Sequence, residues 1–276
     1  MQIELEDFFE DVLGKSLRGI EMSDATLAEA SGVEMKTIAS LKEGKLDEAA
    51  LREVAPVLKL APESLVELAM RSWQPEAVEL DGLRQFSTDF EGVMLVNAYL
   101  IWDPQTLEAA FFDTGADAQE ALAAVDELGL NLKTLFITHS HFDHVKAMPE
   151  VVAKVPNIRV LVNGSEPVAG AEQFETGDSF KIGNLSVSTR LTRGHSPAGT
   201  TFVVNGLSQP VGVVGDALFA QSMGGTAISY TDALTTNRSE IFTLPDETVL
   251  CPGHGPMTSV GEEKRHNPFF PEFKKS

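Results

Sequence analysis

The chain has 276 residues, 43% of them apolar, and 41 acids against 21 Lys and Arg give it a net charge of -20. That charge argues against nucleic acid as the main substrate, because phosphate binding needs clustered cations to release counterions; a small anion stays possible, since salt confines surface fields to roughly 8 Å. The acidic N-terminus and the lack of any apolar run near the roughly 18 residues of a membrane span predict neither a signal peptide nor a membrane protein, so a cytoplasmic location is expected, where the one cysteine, Cys251, can form no internal disulfide.

Residues 1–75 read as a small all-α domain and 76–276 as a second, larger one, with Pro75 at the boundary. Within 27–41 apolar residues recur at helical spacing around Gly32, Ser23 and Asp24 stand ready to cap, and amphipathic segments follow at 48–60 and 62–70. The pattern resembles a phage-repressor-type helix-turn-helix. Residues 1–73, however, hold 15 acids against 8 bases, and the recognition-helix segment 34–43 offers phosphate only Lys36 and Lys42. DNA binding is therefore disfavoured, and a helical bundle used for homodimerisation or for shielding an active-site mouth is preferred.

The second domain opens with strands expected at 77–86, 93–102 and 109–113, a helix at 117–128 and a buried strand at 133–138. A helix over 145–155 and β-rich segments at 159–162, 180–191, 200–204 and 211–214 follow, the second turning at 182–184. Strands alternating with helices and then short-turned strands predict an α/β fold: two sheets face to face with helices outside, an αββα sandwich.

Between the strand at 133–138 and the next helix lies His139-Ser140-His141-Phe142-Asp143-His144, four metal ligands in one strand-to-helix turn. Residues two apart on an extended chain face one side, so His139 and His141 can converge on one cation while the turn swings Asp143 and His144 toward a second. Imidazole and carboxylate without thiolate suit zinc or another borderline first-row ion. With 6 His and 15 Asp in the chain, such a run arises by chance on the order of once in several thousand chains. Downstream, His195 and His254 follow β-like stretches and Asp216 ends the strand 211–214, with Gly215 allowing close backbone approach. Taken singly these are turn or cap residues; five of six histidines at strand exits make a site. His266 is read as a surface residue, and Cys251 as a small core residue still open to oxidation.

In order and spacing these segments resemble the metallo-β-lactamase superfamily over roughly residues 76–276. The stretch 215–220 and the tail 261–269 look most like its hydroxyacylglutathione hydrolase, or glyoxalase II-like, branch; 97–101 and 112–115 resemble that branch's opening strands and an aspartate loop. The resemblance implies two divalent metal ions, zinc first and iron or manganese as alternatives. His139, His141 and His195 would hold one, Asp143, His144 and His254 the other, with Asp216 bridging and Asp113 supporting a ligand. It further implies that hydroxide shared by the cations attacks a small-molecule thioester, ester or lactone, with Asp143 taking up a proton as the intermediate collapses. Lys146 and Arg193 depart from the branch's pattern and put positive charge at the rim, as candidate substrate-binding residues. The segment 223–227 lacks the branch's arginine and aspartate, and no helical glutathione-binding domain is expected after 268. Two alternatives remain: a mononuclear iron dioxygenase acting on a persulfide, and a DNA-binding regulator whose metal domain senses a ligand.

Overall fold

A computed structural model describes residues 3–274. Five helices come first: α1 (Phe9–Gly19), α2 (Asp24–Ser31), α3 (Met35–Lys42), α4 (Glu48–Val57) and α5 (Pro62–Ala69). The expectation above begins only at residue 23 and misses α1, although Phe9, Val12, Leu13, Ser16 and Leu17 make the inward stripe of an amphipathic helix. Ser23 caps α2 by accepting from the Thr26 amide at 3.1 Å. Gly32, at φ +74, then turns the chain into α3.

The rest of the chain forms two six-stranded sheets. The first has the order β1 (Leu83–Phe90), β2 (Met94–Trp102), β3 (Glu108–Phe112), β4 (Asn131–Phe136), β5 (Arg159–Asn163) and β6 (Glu172–Phe174), with α6 (Gln119–Glu127), α7 (Phe142–Val145) and α8 (Met148–Lys154) between its strands. The second contains β7 (Ser179–Ile182), β8 (Leu185–Leu191), β9 (Thr200–Asn205), β10 (Val211–Gly215), β11 (Val249–Pro252) and β12 (Thr258–Ser259), in spatial order from β7 to β12. α9 (Tyr230–Thr236) follows β10, and α10 (Val260–His266) follows β12.

Two boundaries differ from expectation for local reasons. β1 starts at Leu83 rather than near 77, because the Leu83 amide closes a turn onto Leu80 at 3.1 Å and Gly82 sits at φ +93. The helix expected over 145–155 is split: Pro149 lies in the first turn of α8, where its missing N–H costs nothing but where an incoming helix would lack a bond, so the chain restarts at Met148.

Three apolar layers result. Tyr99, Phe112, Phe136, Phe202, Val213 and Cys251 fill the space between the sheets. Phe111, Leu135, Ala121, Val125 and Val151 join the first sheet to α6 and α8. On the far side, Val203, Val214, Leu250, Leu218, Phe269 and Phe270 share one core with Val12, Leu41, Leu51 and Leu65 of the N-terminal helices. Those helices therefore complete the outer helical layer of the second sheet. Polar contacts fasten them: the Ala61 amide donates to Pro268 O at 2.8 Å, Lys15 Nζ donates to Met223 O at 2.7 Å, and Asp7 accepts from both Lys15 and Ser222. His266 is half-buried rather than free on the surface; its ring stacks on Trp73 at 4.3 Å and its Nδ1 meets Glu67 at 2.7 Å. No helix of the described residues is long and apolar enough to cross a membrane.

Candidate metal centre

Seven ligands expected from sequence lie at one end of the sandwich, carried by both sheets. His139 follows β4, His141 stands just before α7, and Asp143 and His144 ride on that short helix. His195 sits in the β8–β9 loop, Asp216 directly after β10 and His254 just beyond β11. His139, His141, His195 and Asp216 offer ligand atoms within 4.8 Å of one another, and Asp143, His144 and His254 form a second such set. Asp216 touches both: its carboxylate is 3.3 Å from His195 Nε2, 3.3 Å from His144 Nε2 and 3.5 Å from His254 Nε2.

The imidazoles are oriented from behind. His139 Nδ1 meets Thr138 Oγ1 at 3.0 Å, His144 Nδ1 meets Asp113 Oδ2 at 2.8 Å, His195 Nδ1 meets Gly225 O at 2.6 Å and His254 Nδ1 meets Leu95 O at 2.6 Å. A carbonyl or carboxylate at Nδ1 holds the proton there and leaves Nε2 as a bare donor, which is how metal-binding histidines are prepared. His144 Nε2 and Asp216 Oδ1 are buried and face each other at 3.3 Å without forming a hydrogen bond. Orphaned buried atoms of this kind are costly, and both lie where a cation would satisfy them. The donor set thus fits divalent metal.

Electrostatics carry the same information. Burial works against charging His144 and His254, but Asp216, with Asp113 for the first and Asp143 for the second, outweighs it and raises them to about 10 and about 11. Burial likewise opposes the Asp216 carboxylate, which His144 and His254 hold well below the usual range. Without metal, protons take the cations' place around one buried anion. Burial lowers both His139 and His195, Asp216 opposing in each, so these rings stay neutral and free to ligate.

Backbone and buttresses position the ligands. Gly215, at φ +51, lies so close to Thr138 that a Cβ would stand 2.6 Å from Oγ1, and a Cβ on Gly253 would stand 2.1 Å from Asp216 Oδ1. Asp113, itself at φ +55, accepts from both the Thr138 amide and hydroxyl at 2.8 Å, so one carboxylate orients His144 directly and His139 through Thr138. Sequence reading missed three buttresses. Buried Glu166 accepts from Ser140 Oγ at 2.6 Å and from the Ala198 amide at 2.8 Å, tying two ligand loops together. Asn97 donates to Pro252 O and Gly255 O, and Tyr99 to Pro252 O, fixing the His254 loop. For Asn97 the signal was available, an amide inside an otherwise apolar strand; for Glu166 only the fold reveals it.

Lys146 pairs with Glu91 at 3.7 Å and Arg193 with Asp232 at 3.1 Å, and neither lines the cavity of about 700 Å³ that opens beside His195. Its walls are the 225–229 loop with the start of α9, and α1, which contributes Lys15 and Arg18. Cys251 lies fully buried between the sheets, where burial pushes its thiol far up, so it presents no thiolate for oxidation.

A sequence model described as the metallo-beta-lactamase superfamily matches residues 92–254. The chain belongs to that superfamily. The five N-terminal helices precede the matched region. Among its relatives in the superfamily, hydroxyacylglutathione hydrolase GloC of Haemophilus influenzae is 29% identical over 63% of this chain and 92% of that protein. The human mitochondrial persulfide dioxygenase ETHE1 is 30% identical over 65% of this chain and 73% of its own. The crystal structure of ETHE1 from Myxococcus xanthus superposes with a TM-score of 0.60 at 29% identity, covering 69% of this chain and 84% of that one. Superfamily likeness and ligand chemistry agree on a metal-binding protein; the two kinds of relative differ in the reaction they name.

Proposed function

We propose that the protein is a metal-dependent hydrolase of a small-molecule thioester, or a related ester or lactone, holding two divalent cations, zinc in the first instance. His139, His141 and His195 would hold one and Asp143, His144 and His254 the other, with Asp216 shared. The observation that carries this reading is the convergence of two complete ligand sets on one buried carboxylate, with no hydrogen bond between His144 Nε2 and Asp216 Oδ1. Cations bound there would lower the pKa of water and polarise a carbonyl. The chain's own residues hold the rings in one tautomer through Thr138, Asp113, Gly225 O and Leu95 O, and supply in Asp216 the anion that balances the charge. His195, which is partly exposed and lines the cavity, leaves a route for substrate from it, with exposed His141 beside it.

The likeness to ETHE1 supports a second reading, an iron-dependent persulfide dioxygenase. Elemental analysis of protein purified without chelator, followed by two assays, separates them. Two zinc ions per chain and hydrolysis of S-lactoylglutathione are expected. One iron per chain, oxygen consumption with glutathione persulfide and no thioester turnover would replace the hydrolase with the dioxygenase. DNA binding has no part in this reading: Lys36 and Lys42 of α3 are paired with Glu34 at 2.8 Å and Asp24 at 2.7 Å.

A further inference from the structure

The cavity beside His195 is closed on one side by a helix outside the family-matched region. α1 is held there by several contacts. Gly19 abuts the Tyr230 ring, Ser16 Oγ lies 3.2 Å from Tyr230 Oη, and Lys15 donates to Met223 O. Two cations of this helix, Lys15 and Arg18, line the cavity in a protein whose net charge is -20, the Arg18 guanidinium lying over Gly14 at the border with a neighbouring cavity. They are not equivalent. Lys15 is largely buried and already neutralised by Asp7, whereas Arg18 is exposed and makes no ion pair among the described residues. Arg52, Arg159, Arg193 and Arg238 are paired with acids, whereas Arg71, Arg84, Arg190 and Arg265, like Arg18, form no ion pair among the described residues, and of these unpaired arginines Arg18 is the one on this cavity. Glu21, the one acid on the lining, is also exposed. With Lys15 neutralised by Asp7, Arg18 and Glu21 leave the lining one further charge of each sign, so an anionic group has Arg18 alone to receive it. At about 700 Å³ the cavity is the size of small-molecule sites.

We propose that α1 forms the recognition wall of the active site, and that the cavity takes an acyl compound bearing a carboxylate on the portion held away from the metal ligands, with Arg18 receiving that carboxylate. A guanidinium suits the task because its planar donors match a carboxylate two to two. Hydroxyls of Thr226, Ser229 and Tyr230 along the same cavity add donors between the two ends. The assignment of substrate class rests on the hydrolase reading, but the binding step can be tested apart from turnover.

Two non-hydrolysable thioethers serve as ligands: 3-(acetonylthio)propionate and its primary amide. Calorimetric titration into full-length, metal-replete wild type should show the acid binding about tenfold more tightly than the amide, the range of one charged hydrogen bond. Arg18→Gln should lose that preference while binding the amide as before. Equal affinities of acid and amide for wild type, or an undiminished preference in Arg18→Gln with metal content unchanged, would overturn the proposal. Hydrolysis of S-acetyl-3-mercaptopropionate, run in parallel, reports on the reaction alone. Arg18-dependent binding without turnover would remove the hydrolase and keep the recognition wall, and turnover without acid preference would do the reverse.

Discussion

Gly19, the last residue of α1, is the point at which the helical segment meets the catalytic fold, and replacing it with alanine should reverse sign with context. A Cβ there would stand 2.2 Å from Tyr230 Cγ and 2.3 Å from Cδ2. Ordinary carbon contacts lie near 3.5–4.0 Å, so the ring or the helix must move by more than an ångström. The ring is not free to do so: Ser16 holds its hydroxyl and Phe269 lies edge-on at 6.4 Å. Overpacking of this kind costs about 1–3 kcal/mol. Against it, alanine gains about 1 kcal/mol over glycine in a helix. Gly19→Ala should therefore lower stability by up to about 2 kcal/mol in the wild-type background. In Tyr230→Ala the obstacle is gone, only the helical gain remains, and the same change should raise stability by about 0.5–1 kcal/mol. Urea unfolding of all four proteins of the cycle, comparing midpoints at constant slope, gives both numbers. A Gly19→Ala change with the same effect in both backgrounds would refute the docking argument.

Two further outcomes concern the site and the core. Asp113→Asn keeps shape but loses an acceptor shared by His144 and Thr138; zinc affinity of the Asp143, His144 and His254 set should fall about 10- to 100-fold, read by titration against a competing chelator, and an unchanged affinity would contradict Asp113's role. Glu263 is fully buried, and burial raises its carboxyl to about 7 despite hydrogen bonds from Asn267, Thr258 and the Gln221 amide and the nearby Lys274. A raised carboxyl favours folding while protonated, so its contribution is whole below about 4.5 and is lost as pH rises through about 7. Glu263→Gln, still able to bond these partners, should gain on the order of 3 kcal/mol over wild type at pH 8 relative to pH 4.5. Parallel unfolding curves for the two proteins at both pH values would count against it.

What could be read from sequence was the part in which neighbouring residues act together. The ligand run 139–144 declares itself because short spacing and residue type suffice, and β2 and β10 declare themselves as predominantly apolar runs, while β4 shows through its apolar end Leu135-Phe136 running on into Ile137. α9 did not, since Tyr-Thr-Asp-Ala-Leu-Thr-Thr has weak helical propensity and is held by Ser229 capping and by packing on α1. Lys15 and Arg18 were invisible as site residues for another reason. Their relation to the metal ligands joins residues near 18 with residues near 195 and 225–231, a proximity that only the shared core of the N-terminal helices and the second sheet creates. Lys146 and Arg193, close to the motif in sequence, were the natural candidates and are occupied by Glu91 and Asp232.

Every proposed metal ligand falls at or after residue 139, whereas the α1 cations on the cavity wall fall before residue 20. On the proposed reading, chemistry and selectivity reside in stretches of chain that mutation can alter one at a time. A change on the exposed face of α1 can retune which acid is accepted without disturbing an imidazole, and a lineage could trade one helical segment for another while inheriting the same reaction.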